Sequence, residues 1–321
     1  MAPCPLAARI GLDWADRHHD VSLRADGSSD VKRSRIDHTP EALAEWIGEL
    51  RQRFGGQPVG ICLELSRGSL VHALMQYEFV VLFPANPKSL KRFREVFAPS
   101  GAKDDPTDAD LLLELLEKHR DRLRPWKPDD ETTRAIRRLV EARRKTVDLR
   151  TRLTQQLRAE LKGYFPQALD WTGKSLTTRL ACDFLLKWPT LEAVQRARPE
   201  TVRKFYYGHN CVRGDVVQAR IEAIGAAVPL TTDPAIVETS VLTVRMLATQ
   251  IRDLGPAITR YEEAIDAHLA DHPDADLFFA LPGAGQAMAP RLPAAFGADR
   301  ERFENATQVQ QYAGIAPRHR A

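Results

Sequence analysis

The stretch ARIGLDWA, residues 8–15, sets an aspartate at the end of a short apolar run. A run of this length and texture reads as a buried strand ending near Asp13. What lies around it decides the kind of sheet it joins. HDVSLRADG (19–27) and DVKRSRIDHT (30–39) alternate in polarity and flank the turn signal Asp26-Gly27, which predicts a hairpin. HTPEALAEWIGELRQRFGG (38–56) predicts a helix with Thr39 as N-cap, Pro40 at the first helical position and Gly55-Gly56 as the stop.

Further along, PVGICLELS (58–66) is a buried-type strand, GSLVHALMQYE (68–78) a helix and FVVLFPAN (79–86) another strand. Helices over PKSLKRFREVF (87–97) and PTDADLLLELLEKHRDRL (106–123) complete the first third. Three strands and a helix, then strand, helix, strand, helix, is the order of an α/β ribonuclease-H-like fold. Its sheet is mixed, with the first three strands antiparallel.

The 321 residues leave room for two domains, or for one with long insertions. At 43% hydrophobic and 28% charged the chain has the balance of an ordinary globular protein. No apolar run approaches the ~20 residues of a membrane span. The opening MAPCPLAARIGL has no apolar core of a signal peptide. Cys4, Cys62, Cys182 and Cys211 are scattered, with no CxxC pair and no histidine at zinc spacing. This fits a reducing compartment and predicts a cytoplasmic protein without membrane association.

Net charge is only +3, but its distribution is uneven. Residues 131–165 predict one long helix carrying Arg134, Arg137, Arg138, Arg143, Arg144, Lys145, Arg150, Arg152, Arg158 and Lys162. Against these stand Glu131, Glu141, Asp148 and Glu160. Ile136, Val140, Val147, Leu153, Leu157 and Leu161 form an apolar seam that predicts a partner, and with it a homo-oligomer through the long helices. An excess of cations this size suits a phosphate backbone better than a merely solvated face. A second long helix spans about 234–271. LPGAG (281–285) then looks like a helical hairpin whose Gly283 and Gly285 could offer amides to a phosphate, or serve only as a turn.

SGAKDDPTDADLLLELLEKHR (100–120) holds four carboxylates within seven residues and then turns apolar. Asp105 as N-cap, Pro106 behind it and Asp108 in the first turn would make an ordinary acidic helix start. Asp13 and Glu64, however, sit in strands otherwise built of Ile, Leu, Val and Gly, where an uncompensated carboxylate is costly. In a ribonuclease-H-like sheet these strands are neighbours with a helix across them. Asp13, Glu64, Asp105 and Asp108 are therefore the candidate metal and catalytic residues, with Mg²⁺ (or Mn²⁺) as the cofactor of phosphodiester cleavage. His18-His19, Trp14 and Tyr206-Tyr207 read as loop or core residues, and the methionines and cysteines as packing.

Together these pieces resemble the DEDD transposases of the insertion-sequence family that recombines DNA with a guide (bridge) RNA. IGLDWADRHHDVSL (10–23) is similar to the family's opening strand and ICLELSRG (61–68) to its glutamate-bearing strand. AKDDPTDADLL (102–112) is similar to its Lys-Thr-Asp-x-x-Asp-Ala stretch, with Asp104 in place of the threonine. LPGAGQAMAPRL (281–292) and FGADRERFENATQVQQYAGIAPR (296–318) resemble the start of its C-terminal domain. The resemblance implies a RuvC-like DEDD domain over 1–125, a helical, coiled-coil region over 126–275 and the start of a transposase domain over 276–321. It implies DNA and a guide RNA as partners. It also implies a nucleophilic serine just after the GIAPR-like stretch. The sequence stops at Ala321, and beyond residue 200 its only serine is Ser240, so the chain is expected to lack that nucleophile. Other readings are a non-catalytic nucleic-acid-binding remnant and a metal-dependent RuvC-type nuclease. A sugar kinase of the actin-like fold fits poorly, because WADRHH replaces the small phosphate turn after the aspartate.

Overall fold

The computed structural model describes residues 5–64, 68–86, 90, 108–299, 301 and 303–315. It divides into two compact units, Met1–Pro128 and Asp129–Ala321.

The first unit is built on a five-stranded sheet in the order β3-β2-β1-β4-β5. The strands are β1 (Ala8–Trp14), β2 (His18–Ala25), β3 (Lys32–Asp37), β4 (Val59–Leu63) and β5 (Val80–Pro84). β1 to β3 are antiparallel neighbours, while β4 runs parallel to both β1 and β5. This is the mixed sheet expected of a ribonuclease-H-like domain. The local signals act as predicted. Gly27 takes φ +74 in the hairpin turn, where a side chain would be strained. In α1 (Pro40–Arg53) the Thr39 side chain accepts a hydrogen bond from Ala42 N at 3.2 Å. Most of the predicted helix over 87–97 lies outside the described residues.

The two faces of the sheet are covered differently. Ile10, Leu12, Val21, Leu23, Ile61 and Leu63 turn to one side and bury against α1 and the short α2 (Ser69–Leu74). Cys62 and Phe83 turn to the other, against Leu111, Leu112 and Leu116 of α3 (Asp108–Lys118). Alternation along the strands sets this division. On the α3 side, Gly11 lets the helix come close: a β-carbon there would stand 1.9 Å from the Ala109 carbonyl oxygen. Burial pushes the Cys62 thiol up to about 12, so it behaves as a packing group.

The second unit is helical. α4 (Glu131–Tyr164) and, after five short helices, α10 (Pro234–Ala270) pack against each other in opposite directions. The five between them are α5 (Ala168–Trp171), α6 (Arg179–Lys187), α7 (Leu191–Gln195), α8 (Pro199–Gly208) and α9 (Gly214–Ala226). Of the predicted seam, Ile136, Leu157 and Leu161 are fully buried, and Val140 and Leu153 pack against the same clusters. The partner they meet is α10 of the same chain, through Val244, Leu247, Ala248 and Ile251 at one end and Leu269 at the other. An apolar stripe needs burial but does not say by whom, and a second long helix in the same chain is the nearest solution. Among the described residues four short α-helices follow, α11 (Ala275–Phe279), α12 (Gly285–Met288), α13 (Arg291–Phe296) and α14 (Ala306–Tyr312). Among the described residues no helix is long and apolar enough to cross a membrane.

Candidate functional site

β1, β4 and β5 are parallel, so their carboxyl ends share one edge of the sheet. Ligands of open α/β sheets bind at such edges, most often where strand order reverses, as it does beside β1. Leu12 and Leu63 are register partners, both buried on the α1 side. Asp13, the next residue of β1, turns toward α3 by alternation, and Glu64 directly follows β4. Both are partly exposed, as is Asp108, the first residue of α3. Three of the four predicted acids thus lie along one edge of the sheet. Asp105 lies outside the described residues.

The donor set is carboxylate oxygen throughout, which suits Mg²⁺ or Mn²⁺ rather than a soft metal. Among the described residues, no three His, Cys, Asp or Glu side chains are gathered closely enough to hold an ion. The residue types fit the cofactor, while the described side chains share an edge without forming a closed cage.

How α3 reaches this edge is visible in a network that the sequence did not reveal. Ser22 Oγ of β2 donates to Asp110 Oδ1 at 2.5 Å, and Arg33 Nε of β3 lies 3.0 and 3.1 Å from the two oxygens of the same carboxylate. Farther along, Arg24 Nη1 lies 2.5 Å from Glu117 Oε2. At the edge, Asp20, the register partner of Asp13, pairs with Arg35 Nε at 3.0 Å. Asp110 therefore ties the first turn of α3, and Asp108 with it, to two strands. Its only sequence signal was membership of the acidic run, where it looked like one more helix-start charge.

A second network braces the β1–β2 turn. His19 is fully buried, and its Nδ1 accepts from Ala15 N at 3.4 Å. That leaves Nε2–H to donate to His38 Nδ1, 2.9 Å away. Burial, then the neighbouring His38 and His18, hold the His19 pKa below its ordinary value, with Asp20 opposing. His38 in turn meets Trp14 edge-on, with ring centres 6.5 Å apart.

In the second unit the predicted cationic residues separate into two groups. Arg134 Nη1 donates to the Asp129 carbonyl at 2.6 Å, and Arg137 Nε donates to the Ala294 carbonyl at 2.9 Å while Nη1 pairs with Asp129. Arg143 binds Glu262 of α10 through Nε and Nη2 at 2.9 and 2.5 Å. It also lines a cavity of about 290 Å³ shared with Val140, Ile265, Asp266, Pro290 and Arg291. These three arginines are engaged in holding the unit together. Arg138, Arg144 and Lys145 are exposed, and Arg144 has only a loose surface pair with Asp148 at 3.8 Å. Gly283 (φ +78) lies in the turn between α11 and α12, and Gly285 (φ +43) is the first residue of α12. That helix has four residues, so it brings little dipole to an anion.

Comparison with known proteins adds a family to this geometry. A transposase family of the DEDD, IS110 type matches residues 10–166, and the transposase IS116/IS110/IS902 family matches residues 275–321. A Streptomyces coelicolor protein, whose name makes it the mini-circle transposase for IS117, is 28% identical over 322 residues. That alignment covers 98% of this chain and 78% of the relative. A Sinorhizobium fredii protein named as the transposase y4uE is 29% identical over 212 residues, covering 64% of this chain and 57% of its own length.

Proposed function

We propose that the chain acts as a transposase of the kind its two matched regions, residues 10–166 and 275–321, resemble, and that it cuts and joins DNA at the carboxyl edge of its sheet. In this reading Asp13, Glu64, Asp105 and Asp108 hold Mg²⁺ (or Mn²⁺) and the scissile phosphodiester lies against α3. One observation carries it: Asp13, next to last in β1, and Glu64, directly after the parallel β4, lie at the edge where Asp108 starts its helix. Bound divalent ions would supply Lewis acidity to the phosphodiester and stabilise the leaving oxygen. The protein's part is to orient the carboxylates, with Gly11 setting the approach of α3 and Asp110 its lateral position. The second unit serves nucleic-acid binding through the exposed Arg138, Arg144 and Lys145, with the Gly283–Gly285 turn as a minor phosphate contact. DNA and a guide RNA are the two partners in this reading.

The test is strand cleavage of target DNA with Mg²⁺ by Asp13→Asn, Glu64→Gln, Asp105→Asn and Asp108→Asn, beside DNA affinity for each. Loss of metal-held charge stabilisation should cut the rate by about 100-fold or more, with affinity changed only a few-fold. Wild-type cleavage by Asp13→Asn would remove the acid site.

A further inference from the structure

We propose that Trp14 stacks on an unpaired nucleobase of the DNA or RNA strand held at the acid edge. The inference rests on the reading that this edge receives nucleic acid. Trp46, Trp171 and Trp188 are buried at 8%, 5% and 5% exposure, whereas Trp14 is 40% exposed. A large ring left in water at the rim of a site is a candidate contact surface, since most such rings are drawn inward.

The ring is also braced. His38 meets it at 86°, an edge-to-face contact, so the two rings do not stack on one another. His38 is held by the buried His19, which the Ala15 amide fixes in turn. The exposed indole is thus linked to the core through the His38 and His19 rings.

Position gives the ligand class. Trp14 is the last residue of β1 and directly follows Asp13, their Cα atoms about 3.8 Å apart. Asp13 turns toward α3 and Trp14 to the other side of the rim. A nucleotide carries its phosphate and base on different sides of its sugar, so a strand with a phosphate at Asp13 can lay a base over the rim. Bases within a duplex are already stacked, so the partner is an unpaired one. The exposed turn residues Asp16 and Arg17 cancel in charge, so the contact is stacking and adds little electrostatic attraction.

The experiment titrates the full chain with a labelled single-stranded oligonucleotide of mixed sequence at several salt concentrations, following anisotropy and tryptophan emission. Trp14→Ala should weaken binding roughly 5- to 100-fold without changing the salt slope, as stacking loss predicts. Trp14→Phe should bind within about threefold of wild type, because a smaller ring still stacks. Emission quenching on binding should be present in wild type and absent in Trp14→Phe. Unchanged affinity in Trp14→Ala, or a wild-type emission unaffected by saturating oligonucleotide, overturns the proposal while leaving the acid site standing. A wild-type chain that binds no nucleic acid overturns both.

Discussion

Gly11 has no tolerance for a side chain. A β-carbon there would stand 1.9 Å from Ala109 O and 2.4 Å from Leu113 N, both backbone atoms of α3 that cannot swing aside. Gly11→Ala should therefore cost at least about 3 kcal/mol, the upper part of the range for overpacking. Denaturant unfolding measures it, and a change under 1 kcal/mol would mean α3 does not sit this close. His19 shows a different single-residue dependence. Its folded pKa lies below the usual histidine value of about 6.5, so it contributes stability that is fully present above that pH. As pH falls through the lowered folded pKa, the proton must enter a buried site facing His38, and that stability is lost. Melting temperature should drop on going from pH 7 to pH 5, and His19→Gln should shrink the drop. Equal pH dependence in both proteins would show that other groups govern acid sensitivity.

At the scale of elements, α3 is held by apolar contacts with the sheet and by two carboxylates, Asp110 in its first turn and Glu117 farther along. Asp110 accepts from Ser22 and Arg33 on two strands, and replacing it by Asn leaves the guanidinium without its charged acceptor. Asp110→Asn should destabilise the first unit by about 1–3 kcal/mol. It should also speed amide exchange in the first turn of α3, beginning at Asp108, more than at the far end near Lys118. Uniform exchange along the helix would deny Asp110 a local role. For α4 the structure separates binding from folding. Reversing Arg138, Arg144 and Lys145 to Glu should weaken DNA binding and reduce the salt slope by about three, with little loss of stability. Reversing Arg137 and Arg143 instead breaks contacts to Asp129, Ala294 and Glu262, and should lower the melting temperature. If the two sets behave alike, the division is wrong.

Across the whole molecule, the units carry separate cores. The cluster around α1, α2 and the sheet lies within Met1–Pro128, while Leu161, Phe165, Phe184, Tyr206 and Leu247 belong to Asp129–Ala321. The base of the second unit is closed by its own polar chain. Asp130 caps α4, Thr133 Oγ1 donates to its carboxylate at 2.5 Å, and His272 Nε2 lies 3.0 Å from the same hydroxyl. A fragment of residues 129–321 should accordingly stay helical and melt cooperatively on its own, as circular dichroism would show. A broad, non-cooperative melt would mean that it borrows stability from the first unit.

The sequence by itself determined the elements. The long helices were bounded at 131–165 and 234–271 and occur at Glu131–Tyr164 and Pro234–Ala270, because caps, prolines and turn glycines act within a few residues. Asp13 and Glu64 stood out because a carboxylate in an apolar strand needs compensation, which is also a local fact. Only the tertiary structure decided the pairings. Periodicity marks which face of α4 is apolar, but not that α10 covers it. A charge count cannot tell that Arg137 and Arg143 are engaged within the fold while Arg138 and Lys145 face water. Ser22 and Asp110 are 88 positions apart and Arg33 and Asp110 are 77. No spacing rule reaches that far, because such contacts exist only once the sheet and α3 have packed. The exposure of Trp14 is of the same kind: the sequence read it as a loop or core residue, and its place at the end of β1 left it at the rim.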